Sequence, residues 1–188
     1  MTRLPTLVVV SGPAGAGKTT LAHKIAQAVG CPAVCRDEIK EGMMHAVPEF
    51  VPGPGDELTR RTLPVFFDVL GLLVKARVTT LAEATFQDRV WRSGLEPLRE
   101  LVQLRIVHCT VEPELAFQRI QRRRQDERTR RAHADPELSD AAEYVASYRA
   151  FERLSIDAPS IEVDTSDGYR PKLGQIVAFV NAAGKRPF

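Results

Sequence analysis

Near the start of the chain an apolar run, Thr6-Leu7-Val8-Val9-Val10, leads through Ser11 into Gly12-Pro13-Ala14-Gly15-Ala16-Gly17-Lys18-Thr19, a GxxxxGK[ST] sequence without a mismatch. This junction restricts the fold more than anything else in the sequence. Glycines let a backbone curl until successive N–H groups point inward. A helix that starts inside such a loop adds the positive end of its dipole. A strand, a tight glycine turn and a helix therefore form a cradle for phosphate oxygens. In it the lysine, Lys18, reaches the β- and γ-phosphates and the hydroxyl of Thr19 is a ligand for Mg²⁺. Gly12, Pro13, Ala14, Gly15, Ala16, Gly17 and Thr20 belong to the same binding element.

The rest of the chain suits an α/β fold. Short β-rich runs at Thr6–Val10, Ala33–Cys35, Val78–Glu83, Leu104–Cys109 and Ser160–Val163 alternate with helix-period segments, the pattern of a parallel sheet covered by helices. Lys18–Val29 stops at Gly30. In Glu57–Arg77 the residues Leu63, Phe66, Phe67, Leu70 and Val74 form one apolar face. Pro64 is tolerated only in a helix's first turns, so that helix is expected to begin at Glu57 or later. Trp91, Leu95, Leu98 and Val102 make a further stripe, as do Tyr144, Tyr148 and Phe151 within Leu138–Leu154. Leu173, Ile176, Val177 and Val180 pattern a last helix. Residues 46–55 hold three Pro and two Gly and read as a loop.

At 188 residues the chain is the size of one domain, here 1–188, and its 44% apolar content can fill a core. No apolar run approaches the roughly 20 residues of a membrane span. Three cysteines without a CxxC pair fit reduced thiols in a cytoplasmic protein. Basic and acidic residues nearly balance, 26 against 24, yet residues 119–131 (RIQRRRQDERTRR) carry seven arginines and two acids. That run reads as a nucleic-acid patch, a solvated helix face or an anion-clamping lid.

The loop alone does not name a reaction. A guanine reader of the NKxD type is missing, since the only asparagine is Asn181, and there is no LSGGQ-like segment. The third strand closes in a lone Glu83 where a AAA+ motor would carry Asp-Glu. The small phosphotransferases remain. Directly after the second strand comes Arg36-Asp37-Glu38. In open α/β sheets ligands bind beyond the carboxyl ends of the strands, so Asp37 is expected near the γ-phosphate. There it can accept a proton from an attacking hydroxyl, or serve simply as a helix N-cap.

This series of elements resembles the polynucleotide 5′-kinase and its small P-loop kinase relatives, among them zeta toxins, chloramphenicol phosphotransferases and gluconate kinases. The resemblance spans nearly the whole chain, but only the glycine loop is highly specific. It implies a three-layer P-loop NTPase fold with five parallel strands in the order 2-3-1-4-5 and an Arg-rich lid over about 119–136. It implies Asp37 as general base, Glu83 near the Mg²⁺ shell or substrate, and Arg119 and Arg123 as lid arginines around the nucleotide and the transferring phosphoryl group. Val163-Asp164-Thr165 would lie beside the adenine. The expected function is transfer of the γ-phosphoryl of ATP·Mg²⁺ to a hydroxyl of a small-molecule acceptor by a monomer or weak homodimer. The alternatives are a polynucleotide 5′-hydroxyl kinase, which would bind nucleic acid, and a non-catalytic nucleotide sensor or slow ATPase. His23 is expected on the surface, His108, Cys109 and Trp91 in the core. His133 and Asp135 could touch substrate.

Overall fold

A computed structural model describes residues 3–126, apart from 48 and 54, and residues 141–182. Its elements are β1 (Thr6–Ser11), α1 (Lys18–Val29), β2 (Ala33–Cys35), α2 (Arg36–Met44), α3 (Glu57–Lys75), β3 (Thr80–Glu83), α4 (Asp88–Leu95), β4 (Gln103–Thr110), α5 (Pro113–Asp126), α6 (Ala141–Arg149), β5 (Ser160–Asp164) and α7 (Leu173–Asn181), with a 3₁₀ segment at Glu96–Leu101 between α4 and β4. The five strands form one sheet in the order β2-β3-β1-β4-β5, and every pair is parallel.

β1, the central strand, shows how the layers arise. All six of its residues are buried, and side chains alternate across a strand. Leu7 and Val9 enter a core with Phe66, Leu70 and Val74 of α3 and Trp91 and Leu95 of α4. Val8 and Val10 enter a second core with Leu21 and Ile25 of α1, Ala116 and Ile120 of α5, Tyr144 of α6 and Ile176 of α7. Helices therefore cover both faces of the sheet, as a nearly continuous apolar strand requires. The first core is aromatic at its centre: Phe86 and Trp91 have ring centroids 4.7 Å apart, and Phe66 meets Trp91 edge-on at 5.6 Å. A Cβ on Gly94 would lie 2.2 Å from the Phe67 ring, so a larger residue on α4 would require that ring of α3 to swing aside.

α3 begins at Glu57, the earliest start expected in view of Pro64, where Asp56 caps it by accepting from the Thr59 amide at 2.7 Å. Other expectations are adjusted. The Trp91–Val102 stripe divides into a short α-helix and a 3₁₀ turn at Pro97, which has no N–H to continue the helix. β3 starts at Thr80, two residues later than expected. The lid lies only partly within the described residues: α5 reaches Asp126, while Arg128, Arg130, Arg131, His133 and Asp135 fall outside them. Among the described residues no helix is long and apolar enough to cross a membrane.

Candidate active site

Strand register brings the polar residues together. Cys35 at the end of β2 pairs with Glu83 at the end of β3, and Glu83 pairs with Val10 just before the glycine loop. Three strand tips are thus level, and the segments leaving them face one space. β2 runs into α2 with no intervening loop, which puts Asp37 in the first turn at that level. The N-cap of α2 is Cys35 and not Asp37, so the plain-cap reading of Asp37 does not hold. Asp37 and Glu38 instead face the positive end of the α2 dipole.

The space is a cavity of about 930 Å³ whose wall includes Lys18, Thr19, Asp37, Glu83, Arg119 and Arg123, together with Ala14, Gly15, Gly17 and Thr20 of the loop and its helix. Gly12 and Gly15 have φ of +152° and +75°, and a Cβ on either would lie 2.5 Å from a backbone oxygen, of Cys109 and Ala116 respectively. Close packing against the end of β4 and the start of α5 therefore demands glycine at both. Gly17, at φ +72°, starts α1.

The loop is braced from behind by residues that its own sequence does not reveal. The Tyr144 hydroxyl donates to the Ala14 carbonyl at 2.6 Å and the Thr165 hydroxyl to the Ala16 carbonyl at 3.1 Å. The Lys18 ammonium donates to the Pro13 carbonyl at 2.9 Å, and the Ala16 amide to the same oxygen at 3.3 Å. Arg119 donates to the Thr165 hydroxyl at 3.1 Å and to the Thr165 and Ser166 carbonyls at 2.7 and 3.3 Å, joining α5 to the turn after β5. Arg123, one helical turn further on, also lines the cavity and is half-buried, and Arg122 lines it from a more exposed position. Tyr144 appears in the sequence only as a member of an apolar stripe, and its hydroxyl carries no local signal.

Thr19 donates to Glu83 Oε2 at 3.0 Å. Glu83 is only 3% exposed, and burial pushes its carboxyl above the ordinary range; Lys18 opposes that rise and Asp37 adds to it. A hydroxyl and a buried carboxylate side by side beside a phosphate cradle are the hard oxygen donors that suit Mg²⁺. The donor set and the cradle thus fit both ATP and the metal.

On the opposite wall Arg36 holds Asp37 Oδ1 at 2.9 Å and reaches the Thr59 carbonyl of α3 at 3.4 Å. Lys40 and Asp56, both nearly buried, pair at 2.8 Å, and the Lys40 ammonium lies 5.7 Å from the Phe50 ring centroid. This pair fastens the Pro/Gly loop to α2. Burial raises the Asp56 carboxyl, but hydrogen bonds from Lys40, Thr59 and Gly53 outweigh it and bring the pKa to about 2. His23 is exposed, as expected. Trp91, His108 and Cys109 are buried, and burial pushes the Cys109 thiol up to about 12.

Residues 7–149 match the model of a family described as AAA domain. The chain belongs to that family. Within it, this AAA-domain protein carries the phosphate-loop core, and its β3 tip has one carboxylate, Glu83, between Ala82 and Ala84. No curated protein matches the sequence significantly. Among solved structures, a protein from Chloroflexus aurantiacus described as a candidate kinase superposes with a TM-score of 0.83 at 19% identity, over 95% of this chain and 97% of its own. A sugar kinase from Janibacter sp. gives 0.62 at 21% identity, over 96% of each chain. The Mycobacterium tuberculosis APS kinase CysC, solved with AMPPNP and APS, gives 0.59 at 13% identity, over 96% of this chain and all of its own (100%). The AAA-domain protein therefore has the fold of the small P-loop kinases, with the strand order that the sequence resemblance implies.

Proposed function

We propose that the protein is a phosphotransferase that moves the γ-phosphoryl group of ATP to a hydroxyl of a small-molecule acceptor, with Asp37 as general base. The observation that carries this reading is the convergence of Lys18, Thr19, Glu83, Asp37, Arg119 and Arg123 on one cavity of about 930 Å³. Few other chemistries call for a phosphate cradle, a pair of hard oxygen donors and a further carboxylate at once.

The loop amides and Lys18 hold the β- and γ-phosphates, and Thr19 with Glu83 would hold Mg²⁺. When bound, that ion neutralises charge on the β- and γ-oxygens. Arg36 orients Asp37 through the 2.9 Å contact. The Asp37 carboxylate takes the acceptor's hydroxyl proton as the acceptor oxygen bonds to the γ-phosphorus and the bond to the leaving ADP oxygen breaks. Arg119 keeps the 164–166 turn in place beside the nucleotide, and Arg123 offers its planar fork to phosphate oxygens. Gly53, Gly55 and Thr59, also in the wall, belong to the acceptor side. A monomer or weak homodimer in the cytoplasm is the setting we favour, which suits the free thiols of Cys31, Cys35 and Cys109.

The test is incubation of the purified protein with γ-labelled ATP and a panel of sugars, sugar acids, nucleosides and aminoglycoside-like alcohols. The expected result is label in one acceptor class, lost in Lys18→Ala together with nucleotide binding. ATP binding with label released only as inorganic phosphate would reject the proposal.

A further inference from the structure

At the edge of the phosphate cavity, whose wall Glu38 shares, three side chains of different chemistry converge where α1, β2 and α2 meet. His23 Nε2 lies 2.6 Å from Glu38 Oε1 and 3.8 Å from Cys35 Sγ, and all three donor atoms fall within 4.8 Å of one another. We propose that His23, Cys35 and Glu38 form a binding site for one borderline-soft divalent ion of the Zn²⁺ class.

The spacing fits. A tetrahedral Zn²⁺ with Zn–S of about 2.3 Å and Zn–N and Zn–O of about 2.0–2.1 Å separates S from N by about 3.5 Å and N from O by about 3.3 Å. The sulfur–nitrogen distance is already within about 0.3 Å of that, and the imidazole and carboxylate need to part by about 0.7 Å. The exposed His23 and Glu38 side chains, 51% and 46% accessible, have room for this movement. Cys35 is 2% exposed and anchored by the sheet, so it supplies the fixed ligand.

The backbone explains the convergence. Cys35 and Glu38 stand three residues apart at the start of α2 and share a face, while α1 presents His23 across from them. Cys35 makes no side-chain capping bond as the N-cap of α2, although Ser, Thr, Asp or Asn would serve that position better. A thiolate with an imidazole excludes Mg²⁺ and Ca²⁺ as preferred occupants and selects Zn²⁺ or its chemical neighbours. Three protein ligands leave the fourth position for water. Binding releases the Cys35 proton to solvent and forms the metal–sulfur bond. The ion would tie α1, β2 and α2 together beside Asp37.

Co²⁺ is the probe, titrated into the full-length protein without nucleotide and with excess Mg²⁺ to fill hard oxygen sites. Because no nucleotide is present, the outcome is independent of the proposed phosphoryl transfer. The expected result is one equivalent bound, with a near-ultraviolet thiolate-to-cobalt charge-transfer band, displaced by Zn²⁺. Cys35→Ser should lose the band. His23→Gln, at an exposed position that leaves the core intact, should weaken binding at least about tenfold, since removal of even an outer-shell partner commonly costs 10–100-fold. Absence of the band in the parent protein, its retention in Cys35→Ser, or unchanged affinity in His23→Gln would each overturn the proposal.

Discussion

The hydroxyl of Thr19 donates a 3.0 Å hydrogen bond to Oε2 of Glu83, tying the first turn of α1 to the tip of β3. The carboxylate that accepts it is almost wholly removed from water. A buried charge of this kind costs stability and is retained where function needs it.

Glu83→Gln should therefore stabilise the ligand-free protein while weakening Mg²⁺-dependent ATP binding. Burial raises the folded-state carboxyl above its ordinary 4.5, with Lys18 opposing and Asp37 reinforcing that rise. The native state then holds a proton that the unfolded state has released, so stability falls as pH rises from about that value through the raised one. The variant should lack this fall. Thermal melts at pH 7 check it: a gain of ~1 kcal/mol appears as a rise of about 2–4 °C in Tm. A lower Tm with Mg²⁺·ATP binding unchanged would contradict the account.

The buried Lys40–Asp56 pair behaves in the opposite sense. The folded pKa of Asp56, about 2, lies below its ordinary 3.8. Its contribution is complete above the higher value and is lost as pH falls toward the lower one. Lys40→Met leaves a buried carboxylate without its partner and should cost about 3–5 kcal/mol. Urea melts at pH 7 measure this. Loss confined to a few tenths of a kcal/mol would show that the Pro/Gly loop is held by something else.

Gly15→Ala and Gly17→Ala separate strain from collision. Both positions have φ above +70°, so an alanine at either is strained by about 1–3 kcal/mol. At Gly15 the new Cβ also lies 2.5 Å from the Ala116 carbonyl oxygen, whereas at Gly17 the nearest atom is the Thr165 hydroxyl at 3.5 Å. Gly15→Ala should be the more destabilising in denaturant titrations, because backbone on α5 has to move. Equal losses would mean that the loop stands farther from α5 than described.

Much of this architecture is readable from local pattern. The β1 run and the glycine loop identify one another, and α1 occupies the expected Lys18–Val29 because Gly17 and Gly30 bound it. Boundaries move where a backbone detail without a side-chain pattern decides. Arg77 adopts φ +60°, and the Val78 amide closes back on the Leu73 carbonyl at 2.9 Å, which consumes the first residues of the expected third strand. The site's long-range partners are hidden for a different reason. Asp56 meets Lys40 across an irregular Pro/Gly loop that has no period to set their register, and Tyr144 meets Ala14 across 130 positions, so local pattern reveals neither pair. Asp37 is legible because β2 and α2 are contiguous, whereas Arg36 as its hydrogen-bond partner is not.

The central claim is that Asp37 works on an acceptor hydroxyl in front of a nucleotide held by the glycine loop. The most direct measurement compares the parent protein with Asp37→Asn in single-turnover transfer from γ-labelled ATP to the acceptor found in the panel, alongside the nucleotide Kd. The account predicts transfer slowed roughly 10²–10⁴-fold with the Kd nearly unchanged. Transfer at the parent rate in Asp37→Asn would contradict it.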